Sequence, residues 1–166
     1  MKITNAIHEK GCFVYLQLWA CGPSADPKVL KADNPGQNVV PVGPSAIKVP
    51  RCKVIPRSLT IPEIKEYVQW FKRAAETAVN QAGFDGIEVH AANGYLIDHF
   101  LQDVSNKRTD EYGGSIENRA RFALEILEAI TESIGEDRTA IRVGPWATAY
   151  GERRTSILGV VRNLDL

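Results

Sequence analysis

The sequence predicts an α/β fold with a parallel sheet. Three short runs rich in β-branched and other apolar residues, at 12–19, 84–89 and 139–143, have the composition of strands. Amphipathic helical patterns separate the second run from its neighbours, and strands that alternate with helices form βαβ units. An open doubly wound sheet and a (β/α)₈ barrel both fit this pattern. A barrel needs about 250 residues; this chain has 166, so we expect only part of one.

The chain starts with a predicted helix over residues 1–10, in which Ile3 and Ile7 share a face. The first strand, 12–19 (CFVYLQLW), is nearly all apolar and is predicted to be buried on both faces. Its one amide side chain, Gln17, then needs a hydrogen-bond partner inside the fold.

Residues 20–59 hold seven of the nine prolines and are predicted to be irregular. A segment of this length without regular structure is usually functional or disordered, and a surface excursion is an equal alternative. A helix begins after it: Thr60 is a good N-cap, Pro62 suits the first turn, and Glu63 completes a T-x-x-E capping box. Its apolar face repeats at helical spacing, with Ile64, Val68, Phe71, Ala75 and Val79.

The strand 84–89 leads into a short predicted helix at 95–102 and a polar loop at 104–114. Ser115 is the predicted N-cap of a third helix. The apolar face of this helix carries Phe122, Ile126, Leu127 and Ile130. The last predicted strand is 139–143 (TAIRV), which glycine and proline follow.

Composition excludes several classes of function. Twenty basic residues balance twenty acidic ones, and no basic block suggests a nucleic-acid partner. No apolar run is long enough to span a membrane, and the N-terminus lacks the apolar core of a signal peptide. Cys12, Cys21 and Cys52 show no metal-binding spacing and indicate reduced thiols, and the three histidines are too dispersed for a metal cluster. We therefore expect a cytoplasmic protein without a metal site.

The most informative cluster follows the second strand, where ligands bind in parallel α/β folds. His90, Asn93 and Tyr95 lie within six residues of one another there. Imidazole and amide groups can together donate hydrogen bonds to one oxygen, and a phenol can deliver a proton. The alternative is that His90 and Asn93 cap the next helix while Tyr95 packs.

Two further polar residues lie in predicted strands. Gln17 can bond the edge of a flavin or nucleobase, or a neighbouring backbone group. Arg142 needs an anion or a ring edge, or else an ion pair with a carboxylate such as Glu88. Gly113 and Gly114 can cradle a phosphate before a helix, although a plain turn is favoured. No Rossmann or P-loop glycine motif is present.

Five segments occur together in the order typical of one family: KGCFVYLQLWACG, PRSLTIPEI, AGFDGIEVHAANGYLIDHFLQ, SNKRTDEYGGSIENRARF and IRVGPW. They resemble the Old Yellow Enzyme family, the FMN-dependent NAD(P)H:flavin oxidoreductases also called ene-reductases. The resemblance covers residues 1 to about 151. It implies a partial (β/α)₈ TIM barrel in which the three visible strands correspond to the third, fourth and fifth.

The resemblance also implies roles for the candidate residues. His90 and Asn93 would bond the carbonyl oxygen of an α,β-unsaturated substrate, an enone or enal, and Tyr95 would protonate its α carbon. Reduced FMN would deliver hydride to the β carbon, with NAD(P)H as reductant. Gln17 and Arg142 would contact the flavin, the latter beside its N1–O2 edge.

The resemblance also implies roles for residues of the substrate pocket and of the loops. Trp19 would line the substrate pocket. Arg108, Asp110 and Arg119 would order loops at the top of the barrel.

The chain departs from the family at several points. Pro23 follows Gly22 where relatives commonly carry arginine, and Gly144 stands where many have serine. We expect residues 1–151 to form a partial FMN-binding barrel domain and 152–166 a divergent tail. The alternative to an enzyme is a non-catalytic fragment that needs missing strands or a partner, binds flavin weakly or not at all, and self-associates through its open edges.

Overall fold

A computed structural model describes residues 1–48, 50 and 52–145 of the chain. Its helices are α1 (Lys2–His8), α2 (Pro27–Asp33), α3 (Ile61–Asn80), α4 (Leu96–Leu101) and α5 (Ile116–Ile134). Its strands are β1 (Tyr15–Leu18), β2 (Val42–Gly43), β3 (Arg57–Ser58), β4 (Gly86–Ala91) and β5 (Thr139–Val143). Two 3₁₀ turns, Gly22–Ser24 and Glu136–Arg138, complete the regular structure of the described residues. The predicted tail 152–166 lies outside them.

The main sheet is parallel, in the order β1-β4-β5, so the predicted α/β class with three parallel strands is confirmed. Helices α3 and α5 pack together over one face of this sheet. Residues at alternate strand positions join the helices in a single core, among them Ile87, Val89 and Ala91 of β4. No helix of the described residues covers the opposite face.

This open face corrects the prediction that the first strand is buried. Burial alternates along β1, where Tyr15 and Gln17 are exposed while Leu16 and Leu18 pack against the core. The strand is also shorter than predicted, four residues in place of eight. Some of the apolar residues of segment 12–19 therefore lie on a face of the sheet that no other layer covers in the described part of the chain.

Helix α3 shows how local signals fix an element. The Glu63 N–H donates to Thr60 Oγ1 at 3.4 Å, and Glu63 Oε2 accepts the Thr60 N–H at 2.8 Å, which confirms the capping box. All five predicted apolar positions are buried: Ile64, Val68, Phe71, Ala75 and Val79. Helix α5 likewise starts as predicted, with the Ser115 hydroxyl accepting the Asn118 N–H.

The first helix differs from its prediction. Ile3 is 75% exposed, and the buried residue of α1 is Thr4. The Thr4 hydroxyl donates to the Ala82 carbonyl at 2.9 Å, so a polar contact attaches this helix to the turn after α3. The apolar pair at positions 3 and 7 does not define its inner face.

Residues 20–59 contain more structure than predicted. They form a 3₁₀ turn, α2 and a short parallel pair, β2 with β3. Arg108 fixes this excursion to the 104–114 loop: its guanidinium donates to the carbonyls of Pro44 (3.0 Å) and Leu59 (2.6 Å) and pairs with Asp110.

Arg119 plays a similar part beside α4, donating to the carbonyls of Leu101 and Gly114. Arg108, Asp110 and Arg119 thus connect the 104–114 loop to the 20–59 segment and to the end of α4. None of the helices in the described ranges is both long and apolar enough to cross a bilayer.

Candidate active site

His90 is the penultimate residue of β4, because the strand continues two residues beyond the predicted end. The pleat places His90 on the open face of the sheet, with Glu88. The imidazole is nevertheless only 4% exposed, since the turn after the strand folds over it. In the sheet register, His90 lies directly beside Arg142 of β5.

The turn after β4 is built from two left-handed residues. Asn93 has φ of 56° and Gly94 has φ of 74°, and Asn93 is the only non-glycine residue with positive φ in the described part of the chain. Asparagine and glycine tolerate this conformation best. The turn brings the Asn93 Nδ2 to 3.4 Å from His90 Nε2.

Two nitrogens at this separation suit one shared oxygen. An acceptor can lie about 2.9 Å from each of them with normal hydrogen-bond geometry. Burial lowers the pKa of His90, and the charge of Arg142 lowers it further against an opposing effect of Glu88, so the neutral imidazole is favoured. His90 Nδ1 is buried without a hydrogen-bond partner among the described residues. In the neutral tautomer that carries its proton on Nε2, this nitrogen is a hydrogen-bond donor next to the Asn93 amide.

One part of the alternative for this cluster is observed, because the Tyr95 ring packs against the rings of Trp19 and His90. Tyr95 is the N-cap of α4 and makes no side-chain capping bond. The carboxylate of Asp98 accepts the Gly94 N–H at 2.7 Å instead. His90 and Asn93 are thereby left facing each other beside the helix start.

Tyr95 and Trp19 form an aromatic wall next to His90. Their rings meet edge to face with centroids 4.4 Å apart, and the Tyr95 ring lies 5.4 Å from the imidazole. Trp19 also lines an apolar groove of about 250 Å³ between the end of β1 and helix α3. The structure thus brings together four of the six predicted site residues at the carboxyl ends of the neighbouring strands β1 and β4.

The remaining two, Gln17 and Arg142, lie on the same open face. Gln17 is exposed, and its amide donates to Glu88 Oε1 at 2.5 Å from the adjacent register position. The expected burial of Gln17 is therefore wrong, because one face of β1 is uncovered. Its observed partner is a side chain and not a backbone group. Arg142 is exposed as well, and no ion pair joins it to Glu88 among the described residues.

Two residues of this site were not predicted. Glu88 stands two positions before His90, and strand periodicity alone puts both on one face. Asp98 is in the first turn of α4, a position where an acidic residue is a known helix-start signal. The described residues contain no group of histidine, cysteine or acidic side chains that could hold a metal ion.

The carboxyl ends of the parallel strands β4 and β5 thus carry a paired imidazole and amide, a phenol and an exposed arginine. The sequence profile of the NADH:flavin oxidoreductase / NADH oxidase family matches residues 1–157. The chain therefore belongs to this family.

Individual relatives agree with that assignment. The chain is 49% identical over 152 residues to chanoclavine-I aldehyde reductase fgaOx3 of Penicillium roqueforti, covering 92% of this chain and 40% of that protein. It is 42% identical over 153 residues to a probable inactive dehydrogenase, easA, of Claviceps purpurea, covering 90% of this chain and 38% of that one. The chain thus spans about two-fifths of these curated relatives.

A solved structure supports the barrel. The Old Yellow Enzyme homologue of Zymomonas mobilis superposes with a TM-score of 0.85 at 33% identity, over 99% of this chain and 48% of that one. The predicted partial (β/α)₈ barrel is confirmed by this likeness. The open sheet face corresponds to the side that a barrel turns inward.

Proposed function

We propose that this chain carries the substrate-binding side of an ene-reductase site, which reduces the activated C=C bond of α,β-unsaturated carbonyl compounds. The observation that carries the proposal is the 3.4 Å approach of Asn93 Nδ2 to His90 Nε2 beside the Tyr95 ring. Enones and enals present one carbonyl oxygen, which matches one shared acceptor position.

His90 and Asn93 would act on the carbonyl. Two donors aimed at one oxygen stabilise the negative charge that develops there when the β carbon accepts a hydride. Because the turn fixes both donors before substrate arrives, no reorganisation is needed during the reaction. Loss of one such donor costs about 10²–10³ in rate in comparable sites.

Tyr95 would act on carbon. Its ring lies beside the imidazole and meets the Trp19 ring edge to face, which supports a place for its hydroxyl near the substrate. A phenol in this position can protonate the carbon α to the carbonyl, which completes the reduction without a change in the protein's net proton count once the phenolate is reprotonated.

The residues of the open face fit a flavin. Gln17 and Arg142 lie on strands separated by two spacings, about 10 Å, and offer amide and guanidinium groups on the same face of the sheet. FMN, when bound, supplies hydride chemistry at the β carbon, with NAD(P)H as the electron source. Arg142 would hold the ring edge where negative charge accumulates on reduction.

A cytoplasmic setting is consistent with the thiols. Cys12, Cys21 and Cys52 are all free, the first two exposed and the third buried. Free exposed thiols persist in reducing compartments, where NAD(P)H is also available.

A flavin-retention and turnover experiment tests the proposal. The purified chain is loaded with FMN, passed through gel filtration, and assayed with NADPH and 2-cyclohexenone under anaerobic conditions. We expect yellow protein that oxidises NADPH only when enone is present, and loss of this turnover in Asn93→Ala. Glu132→Gln, on the outer surface of α5, is the matched control and should behave as wild type.

The same experiment can also identify the non-catalytic fragment. Colourless protein whose elution depends on concentration would indicate a non-catalytic fragment that associates through the edges of β1 and β5. Yellow protein without enone-dependent turnover would retain the flavin site and refute the assignment of enones as substrates.

A further inference from the structure

Asp98 is a buried carboxyl group outside the set of residues discussed above for catalysis. It lies in the first turn of α4 and is 1% exposed. Burial raises its pKa, and hydrogen bonds from Gly94 and Gln102 oppose that effect. A buried carboxyl group is costly unless its oxygens are satisfied, so its partners indicate what it does.

Both partners lie close by in the chain. Asp98 Oδ2 accepts the Gly94 N–H at 2.7 Å, and Oδ1 accepts from Gln102 Nε2 at 3.1 Å. The first bond is the shorter and is fully buried. It connects the carboxyl group directly to the left-handed turn that carries Asn93.

Gly94 is held from its other side too. The Ser24 hydroxyl donates to the Gly94 carbonyl at 2.9 Å. His99 also hydrogen-bonds the Gly94 backbone. The glycine that follows Asn93 is therefore fixed at both its N–H and its C=O group, and Asp98 provides the contact at the N–H.

We propose that Asp98 is a positioning residue for the oxygen-binding pair. By holding the Gly94 N–H, it keeps Asn93 in its left-handed conformation and keeps the Asn93 amide 3.4 Å from His90 Nε2. Without that bond, Asn93 can return to the conformations that non-glycine residues prefer, and the two nitrogens separate. The effect on ligand binding rests on the proposed function, whereas the effect on the turn does not.

Three substitutions separate positioning from general stabilisation. Asp98→Asn keeps an oxygen for the Gly94 N–H, and the Gln102 amide can rotate to accept from the new NH₂ group. Asp98→Leu replaces the carboxyl group with an apolar side chain of similar size. Asp98→Ser replaces it with a small polar group. Ile130→Ala is the matched control, because it opens a cavity in the core under α5 away from the turn.

The first readout is the NMR signal of the Gly94 amide proton. A short hydrogen bond to a carboxylate or amide oxygen moves this proton downfield. We expect the downfield position in wild type, Asp98→Asn and Ile130→Ala, and an upfield move of the Gly94 and Asn93 signals in Asp98→Leu and Asp98→Ser. If Asp98→Leu does not fold, Asp98→Ser decides.

The second readout is the affinity for 2-cyclohexenone, followed on the His90 ring signals. We expect binding about tenfold weaker in Asp98→Leu and Asp98→Ser, close to wild type in Asp98→Asn, and unchanged in Ile130→Ala. If Ile130→Ala also lost affinity for 2-cyclohexenone, the effect of the Asp98 variants would reflect general destabilisation, and the positioning role would be overturned.

The two readouts fail differently. An unchanged Gly94 signal in Asp98→Leu and Asp98→Ser overturns the positioning role. An enone that binds wild type and Asp98→Leu equally, despite a changed turn, overturns it too and leaves the proposed function standing. A wild-type chain that binds no enone, with the turn signals changed as expected, overturns the proposed function and leaves the hold of Asp98 on the turn intact.

Discussion

Replacing Gly22 by alanine tests how the turn after β1 is packed against the site. Gly22 has φ of +55°, and a Cβ there would lie 2.8 Å from Leu96 Cα and 2.9 Å from Leu96 Cβ. The left-handed conformation costs about 1–2 kcal/mol for a non-glycine residue, and overpacking adds about 1–3 kcal/mol. We therefore expect Gly22→Ala to lower the free energy of unfolding by about 2–5 kcal/mol.

Gly36→Ala is the matched control for this substitution. Gly36 also has a left-handed conformation, at φ of +80°, but no atom of the described residues lies within 4 Å of the position that the alanine methyl group would take. In Gly36→Ala the free energy of unfolding should fall only by the cost of the left-handed conformation, about 1–2 kcal/mol. Urea unfolding followed by circular dichroism measures both variants. Equal losses would show that the contact with Leu96 at the start of α4 is not tight, and would refute the packing described here.

Three other expectations concern stability. Burial lowers the pKa of His99 from 6.5 to about 4, so the unfolded chain binds more protons below pH 6.5 and stability should fall by up to about 3 kcal/mol as pH decreases to about 4. Urea titrations at several pH values should show a flatter profile in His99→Gln; an identical slope would contradict this. Thr60→Ala should cost about 1 kcal/mol in urea unfolding, and Thr60→Ser should restore most of it. Arg108→Met leaves the carbonyls of Pro44 and Leu59 without this donor and should cost about 1–3 kcal/mol; limited proteolysis should then cut the 20–59 segment faster than in wild type.

Elements with strong local signals could be predicted from the sequence. The capping box at Thr60 and the apolar repeat after it specify α3, and Ser115 marks the start of α5. The strand β5 has the predicted bounds, 139–143, because glycine on one side and a sharp change in composition on the other limit it. In each case the information lies within a few residues of the element itself.

The exposure of β1 could not be predicted in this way. An apolar strand looks the same in sequence whether one face or both are covered, and coverage here depends on what lies against the open face. The Gln17–Glu88 hydrogen bond follows from the parallel register of β1 with β4, which joins positions 71 residues apart.

The site itself was predicted in part. The sequence placed His90, Asn93 and Tyr95 near one strand end. Their approach to one another depends on the left-handed conformation of Asn93 and on the Asp98–Gly94 bond, which is a tertiary arrangement. Neither spacing nor residue type fixes such a distance.

The carbonyl stretching frequency of a bound enone tests the central claim most directly. Isotope-edited infrared spectra of ¹³C=O-labelled 2-cyclohexenone would be recorded with the FMN-loaded chain, with Asn93→Ala and with Glu132→Gln. Two donors on one oxygen should shift the stretch to lower wavenumber in wild type and Glu132→Gln, with a smaller shift in Asn93→Ala. A bound enone whose stretch is the same in wild type and Asn93→Ala would contradict the account of His90 and Asn93 as a shared oxygen site.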